Sequence, residues 1–354
     1  MSQALEQSAG DPRVKNLLSA VGRQGPGLIL THNNPDPDAL ASAWALKFLL
    51  EQAGGIAARI VYGGILGREE NRALNRLLRI GAVKARATTF KKTVAVLMVD
   101  CQPGAGNNPL PEGIEPVAVI DHHPRIKGTK AAFVDIRPEC GATTTILVEY
   151  LREAEIDIPS DLATALYYGL VSETQHLGRD VTRGDIEASI YLFPKVKHRL
   201  ISRIEHPVHS REFFQQLHGA LEKAVTYKKF VGAKLGEIDY PDFVSQFADL
   251  LVSLKRATWC FVTGRLGDTL YCSLRTTHPK AQAGKILRQV VGKRGSAGGH
   301  EMIAGGQIPL QGLSPEEITA LEEAVYKCLY RKLRLPEDFT PAPLVIPRAV
   351  HARI

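Results

Sequence analysis

The chain has 354 residues, 44% hydrophobic and 23% charged, which excludes collagen-like and disordered classes and, at roughly 150 residues per domain, predicts two domains. No apolar run reaches the ~18 residues that span a bilayer, and the N-terminal segment lacks the basic-then-apolar pattern of a secretory signal, so a cytoplasmic protein with no membrane partner is expected. The formal net charge of +7 is concentrated late, with 21 Lys/Arg against 15 Asp/Glu in residues 201–354, a distribution suited to a polyanionic partner or to a merely basic surface. The five cysteines, Cys101, Cys140, Cys260, Cys272 and Cys328, are scattered with no CxxC pair, which predicts buried thiols and neither a disulfide framework nor a zinc knuckle.

In chain order, strand-like runs fall at residues 27–31 (GLILT), 59–62, 94–100 (VAVLMVD), 117–121 (VAVID) and 131–134. Helix-period stretches fall at 38–51, 68–78, 143–153 and 161–171. This alternation predicts an α/β class with a doubly wound, mainly parallel sheet, whose function gathers at the carboxyl ends of the strands. Residues 1–195 are therefore read as one domain and 196–225 as a charged helical connector. Strands expected at 228–238, 258–262 and 269–274, with helices at 281–290 and 315–329, give a second, smaller α+β domain over 226–335. The proline-bearing residues 336–354 read as an extended arm.

Three of the expected strands end in acid or histidine. His32-Asn33-Asn34-Pro35-Asp36-Pro37-Asp38 follows the first, and its prolines and asparagines force a turn that can bring His32, Asp36 and Asp38 to one side. The plainer reading of this Asp-x-Asp is helix N-capping, a role that Asp38 can fill. Asp100 closes the third run ahead of Cys101-Gln102-Pro103-Gly104, and Asp121-His122-His123-Pro124 closes the fourth. So many carboxylates at one sheet edge repel unless cations offset them. Oxygen and imidazole donors without thiolate favour Mn²⁺ or Mg²⁺ over structural zinc. Two such ions about 3.5–4 Å apart form the usual clamp for hydrolysing a phosphate ester.

HNNPDPDALAS, MVDCQPG, IDHHP and, downstream, SLRT with AGGHEMIAGG resemble the successive motifs of the DHH/DHHA1 family of phosphoesterases. The resemblance spans residues 15–310 and is nearest in style to the short bacterial oligoribonuclease/pAp-phosphatase branch. It implies a DHH domain followed by a DHHA1 domain that closes over it. It implies two Mn²⁺ ions, with Mg²⁺ or Co²⁺ as substitutes. It further implies a short RNA or DNA oligonucleotide, a linear dinucleotide or 3′-phosphoadenosine 5′-phosphate as substrate, and a homodimer. By that resemblance His32 and Asp36 hold one ion, Asp38 and His122 the other, and Asp100 bridges them. Asp121 orients a histidine, His123 faces the scissile phosphate, and Arg275, Gly298, Gly299 and His300 grip the substrate. Such glycines let backbone approach a phosphate, and arginine contacts it bidentately. On this reading the basic stretch 251–300 becomes a wall of the substrate site.

Two positions depart from the family pattern. Glu173, in Tyr168-Gly169-Leu170-Val171-Ser172-Glu173, stands where an aspartate ligand is usual, and its extra methylene moves the carboxylate. His176, three residues on, could share its helix face. Ala297 replaces a glycine common among relatives. The favoured function is a metal-dependent phosphodiesterase or nucleotidase. The alternative is a catalytically weak nucleotide-binding protein in which Glu173 has spoiled one metal position.

Overall fold

The run Gly27–Asn33 forms strand β1, and its strict alternation sends Leu28 and Leu30 to one face of a sheet and Ile29 to the other. In the computed structural model, which describes residues 13–22, 26–86, 89–90, 95–299, 301–336 and 339–345, β1 lies inside a six-stranded, all-parallel sheet. Its other members are β2 (Ala58–Gly63), β3 (Val83–Lys84), β4 (Ala95–Val99), β5 (Ala118–Asp121) and β6 (Phe133–Ile136). The order is β3-β2-β1-β4-β5-β6. Chain order reverses between β1 and β4, which opens a crevice outside their carboxyl ends where α/β sheets bind ligands.

Helices α1 (Arg13–Val21), α2 (Pro37–Gly54), α3 (Glu69–Leu77), α4 (Thr143–Glu153), α5 (Ser160–Glu173), α6 (Arg183–Leu192) and α7 (His198–Glu205) all contribute to one core, against the Ile29 face. The Leu28 face is covered instead by residues from segments without helix, among them Leu110 and Ile114. Within the helical layer α2 meets α5 at Gly169. A Cβ there would stand 2.9 Å from Thr144 Cγ2, 3.1 Å from the Pro37 carbonyl and 3.2 Å from Ala41 Cβ, so the absence of a side chain sets this approach.

The chain divides into two compact units, residues 1–208 and 209–354. The division falls inside the stretch read as a connector, with α7 in the first unit and α8 (Arg211–Lys223) in the second. The second unit holds a seven-stranded mixed sheet of β7 (Ala224–Tyr227), β8 (Phe230–Glu237), β9 (Trp259–Leu266), β10 (Thr269–Thr276), β11 (Ser296–Gly299), β12 (Ile303–Pro309) and β13 (Ala342–Pro343). Its order is β11-β12-β10-β9-β8-β7-β13, with only β8 and β9 parallel. Helices α9 (Asp242–Val252), α10 (Ala283–Val291) and α11 (Pro315–Lys332) accompany it. Strands β11 and β12 pair antiparallel, and part of the C-terminal arm is the edge strand β13. No helix among the described residues is long and apolar enough to cross a membrane.

Candidate metal centre

The loop after β1 is held open at defined points. Asn34 accepts from the Ile65 amide and donates its own amide to the Gly63 carbonyl, while buried Asn71 donates to the Pro35 carbonyl. Gly63 is required because a Cβ there would lie 1.8 Å from Asn33 Oδ1. Asp36, not Asp38, is the N-cap of α2, accepting the Ala39 amide at 2.9 Å. Asp38 is buried and accepts the Thr143 and Thr144 amides of α4, each at 2.8 Å. Its capping role thus serves a helix 105 residues further on, and the positive end of α4 favours its charge.

Asp100 follows the central strand with φ 57, a left-handed conformation uncommon for a non-glycine residue, and Thr143 donates to its Oδ1 at 2.8 Å. Both motif histidines point one ring nitrogen at it. His32 Nδ1 lies 2.9 Å from the Asn33 carbonyl and His122 Nδ1 lies 3.2 Å from the Cys140 carbonyl. A carbonyl can only accept, so each Nδ1 carries a proton, and each Nε2 is the nitrogen left to act as a ligand when the ring is neutral. His32 Nε2 stands 3.5 Å from Asp100 Oδ2 and 3.6 Å from Asp36 Oδ2. His122 Nε2 stands 3.6 Å from Asp100 Oδ1 and 4.0 Å from Asp38 Oδ2. These separations are longer than direct hydrogen bonds. They suit donors around a shared cation, whose adjacent ligands are roughly 3 Å apart at bond lengths of about 2.1 Å. His32, Asp36 and Asp100 form one candidate cation-binding group and Asp100, His122 and His123 another.

The electrostatics agree with that fit. Burial and the neighbouring Asp100 push Asp38 up to about 7, and burial with the charges of Asp36, Asp38 and Asp100 pushes Glu173 up to about 8. Asp100 is raised as well, chiefly by burial. For Asp36 burial acts upward, but the neighbouring His32 ring and the Ala39 amide hold it well below the usual carboxylate range. Acids that resist ionisation together mark a place where a divalent cation would be favourable.

His123 is set apart from this pair. Its Nδ1 lies 2.9 Å from Asp121 Oδ1, which also accepts the His123 amide. Burial opposes its charge, yet the Asp121 hydrogen bond and the Asp100 charge raise it to about 10. Behind Asp121 stands Gln102, a residue the sequence reading passed over. It is buried, its Nε2 donates to Asp121 Oδ2 at 2.7 Å, and its Oε1 accepts from the Ile126 amide at 2.8 Å and from Thr129 Oγ1 at 3.2 Å. A polar side chain two residues after a strand-end aspartate is the available signal. Thr143 was likewise read only as a helix start.

Other expected residues stand differently. His176 is not on the α5 face, because α5 ends at Glu173 and the chain turns left-handed at Gln175, His176 and Leu177. It is exposed, 3.9 Å from Glu205. In the second unit Arg275 is buried, with Nε on Asp249 and Nη1 donating to Ser273 Oγ at 2.7 Å and to the Ala304 carbonyl at 3.3 Å. Two of its nitrogens thereby tie β10, β12 and α9 together. Ala297 and Gly298 lie in β11, and a Cβ at Gly298 would meet nothing within 4 Å. Gly299, with φ 138, has the Ile303 carbonyl 2.2 Å from its notional Cβ. His300 lies outside the described residues.

Residues 27–170 match the N-terminal domain of the DHH family, and residues 228–330 match the DHHA1 domain. The chain belongs to the DHH family. This DHH protein is 36% identical over 290 residues to an uncharacterized protein of Methanocaldococcus jannaschii, an alignment covering 81% of the chain and 59% of that relative. It is 28% identical over 159 residues to a probable manganese-dependent inorganic pyrophosphatase of Streptococcus equi subsp. zooepidemicus, covering 42% of the chain and 48% of the relative. The chain thus spans about half to three fifths of the length of these relatives. Among solved structures, an exopolyphosphatase-related protein from Bacteroides fragilis superposes with a TM-score of 0.66 at 16% identity, over 91% of this chain and 97% of that one, a likeness of fold.

Proposed function

We propose that this DHH protein is a divalent-metal-dependent phosphoesterase that cleaves the phosphate ester of short oligonucleotides, linear dinucleotides or 3′-phosphoadenosine 5′-phosphate. The carrying observation is the convergence of two imidazole Nε2 atoms on the two oxygens of Asp100, with Asp36 and Asp38 flanking them, at the strand-order reversal. His32 and Asp36 would hold one cation, Asp38, His122 and Glu173 a second, and Asp100 both. When bound, Mn²⁺ or a similar ion supplies Lewis-acid charge against the transferring phosphoryl group and a water nucleophile at neutral pH.

The remaining work falls to the chain itself. The carbonyls of Asn33 and Cys140 fix the tautomers of His32 and His122, so neither ring must reorient to act as a ligand. Asp121 holds His123 as an imidazolium, whose other nitrogen, Nε2, can donate to a phosphate oxygen or to the departing ester oxygen. In the second unit the open side of Gly298 admits a phosphate close to backbone, and Arg275 has Nη2 left to contribute. The basic run 251–300 supports an anionic substrate. A cytoplasmic location and a homodimer belong to the same reading.

A pyrophosphatase reading draws on the streptococcal relative, and one experiment separates the two. Oligonucleotides of two to ten residues, 3′-phosphoadenosine 5′-phosphate and pyrophosphate are compared with Mn²⁺ present, beside His122→Ala. A steep fall in rate with length is expected. Turnover of pyrophosphate alone would favour the second reading, and no turnover above the His122→Ala control would defeat both.

A further inference from the structure

Helix α5 delivers Glu173 at its last residue, and the six residues after it are built in an unusual way. Gln175, His176 and Leu177 take φ of 49, 55 and 62 in succession, a left-handed run that side chains disfavour and that persists only where the surroundings impose it. Thr174, fully buried, imposes it here. Its Oγ1 donates to the Leu170 carbonyl and accepts the Leu177 amide, and its carbonyl accepts the amides of Gly178 and Arg179. The turn folds the chain back so that Arg179 Nη2 reaches the residue that ended the helix. It donates to the Glu173 carbonyl at 2.8 Å and to Glu173 Oε1 at 3.1 Å. The carboxylates of Asp36, Asp38 and Asp100 repel that of Glu173, and Arg179 offsets them.

We propose that Arg179 is the positioning residue that makes the glutamate at 173 a working cation ligand. A glutamate has one more rotatable bond than an aspartate, and beside three like charges its carboxylate would swing away. The guanidinium donates to the backbone oxygen and to Oε1 of the same residue, which holds the side chain in one conformation. The strained turn is what places that grip. Glu173 is thus an adapted ligand and not a damaged one. This inference rests on the divalent-cation reading above.

The test is Mn²⁺ titration calorimetry of the full chain as wild type, Arg179→Gln, Arg179→Lys, Glu173→Asp and the double variant Glu173→Asp/Arg179→Gln. Arg179→Gln is expected to weaken one Mn²⁺ site by about tenfold or more, with Arg179→Lys intermediate. With aspartate at 173 the loss on removing Arg179 should shrink to about twofold or less, because the shorter side chain needs no such hold. Unchanged or tighter binding in Arg179→Gln, or an equal loss in both backgrounds, overturns the proposal. Should Arg179→Gln fail to fold, Arg179→Lys decides, and wild-type affinity there overturns it. A wild type that binds no Mn²⁺ defeats the metal reading itself, an outcome distinct from a wild type that binds and an Arg179→Gln that matches it.

Discussion

Replacing Gln102 with leucine keeps the volume of a buried side chain while deleting an amide that joins three segments of the site. The amide orientation is unambiguous, since Nε2 faces the Asp121 carboxylate and the His123 and Pro124 carbonyls, and Oε1 faces the Ile126 amide and the Thr129 hydroxyl. The bond to ionised Asp121 is of the class worth about 1.5–3 kcal/mol, and leaving the half-buried Ile126 amide without its acceptor costs about 1 kcal/mol more. Allowing for relaxation, the expected loss is about 3 kcal/mol, which in a unit of about 200 residues lowers Tm by roughly 6–12 °C. Asp121 would then orient His123 less firmly, and a supporting contact of this kind is worth about 10–100-fold in activity. Calorimetric unfolding gives the first quantity, and dinucleotide hydrolysis at saturating Mn²⁺, well below the variant's Tm, gives the second. A Gln102→Leu protein within about 1 kcal/mol of wild type and with unchanged kcat would refute the reasoning.

Without metal, Tm is expected to fall as pH rises from about 5.5 to 8.5. Asp38, raised to about 7, and Glu173, raised to about 8, hold protons in the native state that the unfolded chain has released above about 4.5, and His123, raised to about 10, acts in the same sense above about 6.5. Each native proton held across one pH unit is about 1.4 kcal/mol, roughly 3–6 °C, and excess Mn²⁺ should flatten or reverse the slope because it takes the deprotonated ligands; a metal-free Tm that climbs through this window would contradict the account. Gly169→Ala drives a methyl to 2.9 Å from Thr144 Cγ2 and 3.1 Å from the Pro37 carbonyl, so about 1–3 kcal/mol of destabilisation is expected, with weaker Mn²⁺ binding as α5 moves off α2. Denaturant unfolding and metal titration check both parts, and a variant as stable as wild type would refute a tight contact between these helices.

The parallel sheet was legible because its strands are short apolar runs with β-branched residues, each ending in a polar residue, and that pattern depends only on local burial. The same runs placed His32, Asp100, Asp121 and His122 at strand ends, so the core of the site could be named from the chain alone. The edge strand β3, two residues long and exposed, carries too little pattern to be seen. Helix α9 and the glycine-rich strands β11 and β12 are likewise set by packing more than by propensity, since glycine favours no strand in isolation.

What the amino-acid order determined by itself was the inventory: two units, a nearly neutral first half with aspartates and histidines at its strand ends, a basic second half, and a glutamate at the end of the 161–173 stretch. What only the tertiary structure decided was partnership. Asp38 serves α4 across 105 residues, Gln102 braces Asp121 across 19, and Arg275 is largely occupied by Asp249 and its own sheet. Arg179 returns to Glu173 through a turn that no propensity favours. Spacing along a chain predicts neighbours only within a helix turn or a strand pair. Which nitrogen meets which oxygen is settled by where distant elements close against one another.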